Sequence, residues 1–434
     1  LLKRFRQDWK LLKRFRQEWT LFMTTRRQIL LAMPLGVLAA EPNLTVEIEQ
    51  LTFGPKHHYF GYIGHARNTP WNGNNRYLSL LRTTFQDRMP GPGDSADVVL
   101  VDTRNRNEIT AIDQCRAWNP QQGTMFYWNP KKPDTQLLFN DRDPKTNRVF
   151  AVLYDIAKHK RVREYRFDDT PFGNSGVAQK GGFFLGLNYG RMATLRRVTG
   201  YVGSYDWTDG VAAPVNDGIF ITEIESGKKR LLVSFRQLAD AIAPSRPDVR
   251  EKHLFINHTL WNRDDNRIYF YVRGDFDAKQ GSINVPFTIH PDGTGLTMQQ
   301  FIGGHPEWEF GPNVVGIKDG RQVLYDVDRK VIISNLGNPE ILPRPDGDSA
   351  FSPDGKLFVN GYRVGKENYY AIMRRSDGHF VKTKGLPIDN WAGGDLRLDP
   401  APCWNRTNNR IAVPAIADDP GRTRQTFVIR VFSE

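Results

Sequence analysis

From about residue 45 onward the chain returns to one phrase: an aromatic residue, a short polar turn, then a run rich in β-formers. Trp71 to Leu80, Trp261 to Phe270, Phe351 to Val359 and Trp404 to Val413 are four copies, and Trp128 with the run Gln136 to Phe139 is a looser one. Asn, Asp and Gly accept the positive φ of a tight turn, and the run behind them makes the returning strand, so each phrase predicts a hairpin. A second strand pair follows each hairpin, as in Val98 to Asp102 running into Ile109, or Tyr370 to Arg374 turning at Ser376-Asp377-Gly378 into Val381. Four strands repeated every roughly forty to fifty-five residues is the period of propeller blades.

The units fall near 70–113, 125–167, 180–235, 255–302, 305–342, 349–385 and 402–434. The expected fold is therefore all-β: a seven-bladed β-propeller of four antiparallel strands per blade. The irregular third and fifth units leave six or eight blades open. Val46 to Phe53 is a spare strand and the last unit is short, so the N-terminal strand should join the last blade and close the ring. The polar stretch Thr199 to Pro214 reads as a loop on the binding face.

Charge changes the picture only at the front of the chain. Of the formal +12, residues 1–40 hold +7, nine Lys/Arg against two Asp/Glu, which leaves +5 on the rest. That thin excess suits an anionic small substrate rather than nucleic acid. Cys115 and Cys403 belong to no metal-binding spacing and read as two buried thiols, although the first and last blades of a ring are neighbours and a disulfide between them is conceivable.

Residues 23–40 have the order of an export signal: Met23, the charged pair Arg26-Arg27, an apolar run from Ile29 to Leu38, and small Ala39-Ala40. The run is too short for a stable span in the mature chain. Thr24-Thr25-Arg26-Arg27-Gln28 resembles a twin-arginine signal, with an ordinary Sec signal as the alternative; either sends the mature protein to the periplasm or the exterior. Residues 1–22 repeat Leu1 to Trp9 as Leu11 to Trp19 with Glu18 for Asp8. They read as upstream sequence translated ahead of Met23 rather than as a membrane-surface helix. The expected organisation is thus a leader over 1–40 and a single propeller domain over 41–434.

The blocks Gly64 to Tyr77, Ala117 to Gly123, Phe139 to Arg142, Asn257 to Trp261, Gly304 to Trp308 and Gly421 to Gln425 resemble, in their order, the oligogalacturonate-lyase-like propellers. Some of them also resemble the propeller ulvan lyases. The resemblance implies β-elimination at a uronic acid. The carboxylate must be neutralised, a base must take the C5 proton, and an acid must protonate the departing O4. Tyr189, His258 and His305 are the candidate catalytic groups. His258 and His305 occupy matching places at the start of successive blades. Arg191, Arg197 and Tyr201 would form a carboxylate pocket with Tyr189. His65, Gln122, Asn140, Arg142, Trp261 and Trp308, from the family-like blocks, are further candidate substrate contacts. Together the arginine–tyrosine cluster and the two histidines should converge on one mouth of the central channel.

The resemblance also implies a divalent metal (Mn, Ca or Zn), for which His258 and His305 are the candidate ligands. The chain departs from that pattern. Only Asp346 and Asp348 stand where a histidine is expected before Phe351, and Ala401 stands where another is expected. Gln121, Gln122 and Asp141 occupy the places of the ulvan-lyase histidines. His57-His58 reads as a rim pair. Phosphate-binding loops, nucleophile elbows and dinucleotide fingerprints have no match. Two readings follow: a lyase-like enzyme acting on acidic oligosaccharide, and a non-catalytic propeller that binds acidic carbohydrate or a protein partner. A module of a periplasmic assembly machine is a third, but it gives the arginine–tyrosine cluster no task. Surviving histidines and arginines argue for the first and the missing histidines for the second. If the leader reading holds, N-terminal sequencing of the native protein will begin close to Glu41; a native protein that begins at Leu1 overturns it.

Overall fold

In the computed structural model the described residues are 43–61, 68–276, 278 and 281–433, and they form seven antiparallel sheets in a ring. The leader and His65 lie outside them. The blades span 57–115, 127–165, 173–234, 255–298, 303–335, 348–382 and 403–433, and the seventh takes its outermost strand from the start of the chain. That strand, Leu44–Gln50, pairs with Arg424–Ser433 in unbroken register from Leu44↔Ser433 to Gln50↔Phe427. It starts and stops a little earlier than the alternation suggested. Leu44 is buried among Val431 and the seventh blade's core, while Thr52 already turns inward and its hydroxyl donates to Gln425 Oε1 at 2.7 Å. Among the described residues no helix is long and apolar enough to cross a membrane.

The repeated phrase has two structural jobs. Its Asn caps the hairpin loop: Asn72 Oδ1 accepts from Arg76 and Tyr77 N–H, Asn262 Oδ1 from Asn266 and Arg267, and Asn405 Oδ1 from Asn409 and Arg410, all at 2.9–3.1 Å. In four blades its Trp ties the blade to the one before. Trp128 Nε1 donates to Pro70 O (2.7 Å), Trp261 Nε1 to Gly176 O (3.2 Å), Trp308 Nε1 to Leu260 O (2.8 Å) and Trp404 Nε1 to Ala350 O (3.1 Å). Each acceptor directly precedes the matching residue of the previous blade, namely Trp71, Val177, Trp261 and Phe351. Trp261 and Trp308, expected at the substrate, are therefore buried pins between blades, a correction that follows from an indole whose single donor is already used.

Blade 3 begins at Gly173–Val177, ahead of the expected 180, because its inner strand carries no aromatic. It is small where it meets blade 2: a Cβ on Gly173 would lie 2.8 Å from the Asn140 amide. Asn140 donates through Nδ2 to Asn174 O (2.9 Å) and Tyr201 Oη (3.0 Å), so it pins blades and does not reach a ligand. Cys115 and Cys403 are both free.

The inner strand of blade 1, His57–Tyr59, corrects the rim reading of the histidine pair: both imidazoles are buried. His58 Nδ1 meets Gln425 Oε1 at 2.9 Å, and His57 Nδ1 accepts from Arg424 N–H at 3.1 Å. Burial pulls His58 down to about 4, against a hydrogen bond to Gln425 that alone would raise it. A histidine so depressed must stay neutral in the fold. Below an unfolded value near 6.5 the unfolded chain binds a proton that the folded chain refuses, so stability drains as pH falls from about 6.5 to about 4. The loss attributable to His58 is on the order of 3 kcal/mol across that window. Urea midpoints measured from pH 7 to pH 4.5 should fall steeply for the native chain and less steeply for His58→Asn; parallel slopes would remove His58 as a source.

Candidate functional site

Residues from blades that are not neighbours in a ring meet most readily near its axis. Gln121, ahead of blade 2, donates through Nε2 to Asp399 Oδ2, ahead of blade 7, at 2.7 Å. Beside this bridge opens a cleft of about 230 Å³. It is lined by Gln121 and Gln122, by Arg196 and Thr199 from the insertion in blade 3, by Asn257, His258, Tyr271, Arg273, Phe276 and Asn284 of blade 4, by Gly303 to His305 with Phe301 at the edge of blade 5, and by Arg397. Two histidines and three arginines face one small volume.

Each histidine stands on an irregularity of its strand. On Phe255–Trp261 the register passes from Asn257↔Tyr271 to Leu260↔Tyr269, so His258 and Thr259 oppose Phe270 alone. His258 takes φ +55°, the left-handed region, which costs a residue with a Cβ roughly 1 kcal/mol and is kept where the surroundings enforce it. A bulge re-aims the side chain that a regular strand would turn elsewhere. One blade on, the pairing of Gly303–Trp308 breaks between Gly303↔Ile317 and Glu307↔Val315. Gly304 there has φ +76°, which favours glycine, and a Cβ would press on the Ile317 side chain at 2.7 Å from Cδ1. The imidazole centroids of His258 and His305 end 6.0 Å apart.

His305 is backed by an acid. Its Nδ1 lies 2.9 Å from Asp348 Oδ1, and Asp348 Oδ2 accepts the Ala401 N–H at 2.8 Å. Burial opposes the imidazolium, but the buried Asp348 carboxylate, with Asp399 further off, outweighs it and holds His305 above its ordinary 6.5. Tyr271, beneath His258 at 6.1 Å, spends its hydroxyl on Ile302 O (2.8 Å), and burial pushes it up, so it is wall rather than base. Arg196 and Arg273 each lie 4.3 Å from the ring centroid of Phe276, which holds two like charges side by side through their shared attraction to one π face system. Arg273 Nε donates to Asn284 Oδ1 at 3.0 Å, and Arg397 Nε to Asp399 Oδ1 at 3.0 Å. The arrangement is a fixed set of cations around a space for an anion.

The expected convergence is thus partial. His258, His305 and Gln122 line the cleft. Tyr189, Arg191, Tyr201 and Arg142 do not reach it, because their polar atoms serve the fold. Tyr189 opens the short helix Tyr189–Leu195, stacks on Tyr201 at 4.3 Å and donates to Asn174 O at 2.8 Å. Both phenols are buried and pushed far up by that burial, so Tyr189 is corrected from catalytic group to core. Arg191 donates to Leu254 O (2.6 Å), Thr208 O (3.3 Å) and Ala212 O (2.8 Å), stapling the loop after the helix to blade 4. Arg142 does the same with Val202 O (2.7 Å) and Gly91 O (2.9 Å). Arg197 is exposed and outside the cleft, and its neighbour Arg196 takes the place expected of it.

Sequence reasoning missed Arg273, Arg397 and Phe276; it had Arg196 only as a member of the 191–201 arginine–tyrosine cluster and Asn257 only as the start of a family-like block. Arg273 sits in Ile268–Gly274, a strand buried on both faces, where no polar alternation marks a functional side. Asp348 was noticed only as the absence of a histidine, and its pairing with His305 is what that exchange produced.

A divalent ion does not fit these donors. Among the described residues no group of three or more His, Cys, Asp or Glu side chains converges. His305 has its Nδ1 on Asp348, Asp348 has both oxygens engaged, and three guanidinium groups would repel a dication.

No family model matches the sequence, and no curated protein does. Solved structures do. Oligogalacturonate lyase in complex with manganese is similar at 12% identity and TM-score 0.57, over 91% of this chain and 99% of that one. TolB from Acinetobacter baumannii (13% identity, TM-score 0.35, 68% and 61% covered) and the β-propeller domain of Cps50 (Swd1) from Myceliophteria thermophila (13%, TM-score 0.45, 87% and 100%) also align. At these identities the likeness is one of fold: the chain is a seven-bladed β-propeller with the architecture found in oligogalacturonate lyase.

Proposed function

We propose that the cleft takes a uronate-bearing oligosaccharide and cleaves it by β-elimination. The observation that carries this reading is the pairing of an acid-backed His305 with His258 across 6.0 Å, inside a cleft that Arg196, Arg273 and Arg397 make cationic. The guanidinium groups would hold the carboxylate and draw charge from the ring, which acidifies the C5–H. His258 would accept that proton. The C–H pair becomes the C4–C5 double bond as the C4–O4 bond breaks, and the His305 imidazolium gives its proton to O4. His258 leaves protonated and His305 neutral, and exchange with water resets both. Asp348 favours the protonated form of His305, against the burial that opposes it.

Export to the periplasm or exterior, which the 23–40 segment suggests, belongs to the same proposal: acidic polysaccharide is met there. A second reading, binding of acidic carbohydrate without turnover, is favoured by one observation. Asp348 and Ala401 occupy ring positions where the resembling lyases carry histidine, and the donors left do not suit a metal.

The test is incubation with a panel of uronic-acid polymers, reading the ultraviolet absorbance of the unsaturated product. The lyase reading expects product from at least one polymer and a fall of about 100-fold in kcat/KM for Arg273→Ala, the scale of losing one charge-stabilising group. Arg197→Ala should leave turnover as it is, whereas Arg191→Ala should lower the melting temperature, since Leu254 O loses its donor and Thr208 O and Ala212 O each lose one of two. Saturable binding with no product selects the second reading; neither binding nor product rejects both.

A further inference from the structure

Two residues that line the cleft, Gln121 and Asn257, each carry a buried amide oxygen with no donor. Gln121 is buried, and its amide orientation is decided by Asp399: a carboxylate only accepts, so the atom 2.7 Å from Asp399 Oδ2 is Nε2. Oε1 is therefore an acceptor, and it is unpaired. The backbone N–H of Gln121 donates to Asn119 Oδ1 at 3.1 Å, and Asp399 is itself held by Arg397, so the amide is fixed from both ends. Asn257, buried beside the bulged His258, likewise leaves Oδ1 unpaired. A buried acceptor without a donor costs about 1–3 kcal/mol, and folded proteins keep few of them. Here the cost is incurred in a cleft crowded with donors that point elsewhere: Arg273 Nε is on Asn284 and Arg397 Nε on Asp399.

A ligand that satisfies this cleft must therefore be an anion that also brings hydrogen-bond donors. Sulfate brings none. A uronate whose ring hydroxyls are blocked by acyl groups keeps its charge but loses its donors. Resting on the uronate reading above, we propose that Gln121 Oε1 and Asn257 Oδ1 read free ring hydroxyls, so that the cleft selects unsubstituted uronates over O-acetylated ones. They are specificity residues: they act on which sugar is held and leave the charge of the carboxylate to the arginines. Sites built to bond a hydroxyl discriminate strongly against an analogue without it, because the buried acceptor is then left unpaired again.

The experiment is titration calorimetry of the full chain with a galacturonate trisaccharide, with the same trisaccharide O-acetylated on its ring hydroxyls and free at its carboxylates, and with sulfate. Binding of the free form at least about tenfold tighter than the acetylated form is expected, with sulfate weaker than either. Gln121→Met keeps the size of the side chain and removes the acceptor, and it should bring the two oligosaccharides to within about threefold of each other. Asn257→Ala should do the same where Gln121→Met fails to fold. An amide that only supports the cleft would, when replaced, weaken both forms equally and lower the melting temperature, and that result overturns the proposal. Equal binding of free and acetylated forms by the native chain also overturns it while leaving the uronate reading standing. Failure of the free trisaccharide to bind at all removes the uronate reading first and this one with it.

Discussion

The structure depends on one contact made four times: a tryptophan N–H reaching the backbone carbonyl that precedes the matching residue of the previous blade. A propeller blade is a sheet that is apolar on both faces and cannot be stable alone. Stacking blades buries those faces, but apolar contact has no direction and would allow one blade to slide on the next. The indole fixes the register, since a buried N–H needs its acceptor at one place. The ring then needs only to be shut. Seven residues from the front of the chain do so by completing the seventh sheet, and Arg406 of that blade donates to Trp71 O and Asn72 O of the first.

Register at the axis is what makes a site possible. Because the tryptophans stand at matching places, the residue three before each of them also matches: His258, His305 and Ala401, with Asp348 before Phe351. Successive blades bring these positions side by side, so that His305 meets Asp348 and Asp348 meets the Ala401 backbone. A one-residue slip would turn each of them to the other face of its strand. The bulge at His258 places a left-handed residue there, glycine at 304 takes its left-handed turn without a Cβ, and the rigid ring around them supplies the constraint that keeps both.

The same local chemistry serves two ends in this protein. Arg191 beside the phenols of 189–201 and Arg273 beside the aromatics of 271–276 look alike as sequence. The first points its guanidinium at three carbonyls and is structural; the second lines a cleft. An arginine is a site residue when its charge is left facing space, and a staple when the backbone uses it up, and nothing in residue type separates the two.

By itself the sequence determined the ring. The aromatic–turn–strand phrase carries its own local physics, an Asn cap and a β-rich run, and its repetition pointed to seven blades, with six or eight left open by the irregular third and fifth units, and to closure by the first strand. It also marked His258 and His305, since a repeat makes matching positions visible. Only the tertiary structure decided what those histidines face. Arg196, Arg273 and Arg397 come from an insertion, the middle of a doubly buried strand and a connection, and Gln121 meets Asp399 across 278 residues of chain. Tertiary structure likewise turned His57-His58 from rim to core and Tyr189 from candidate base to packing. Burial and the pairing of polar atoms are properties of what lies across the ring, and a local pattern holds no record of it.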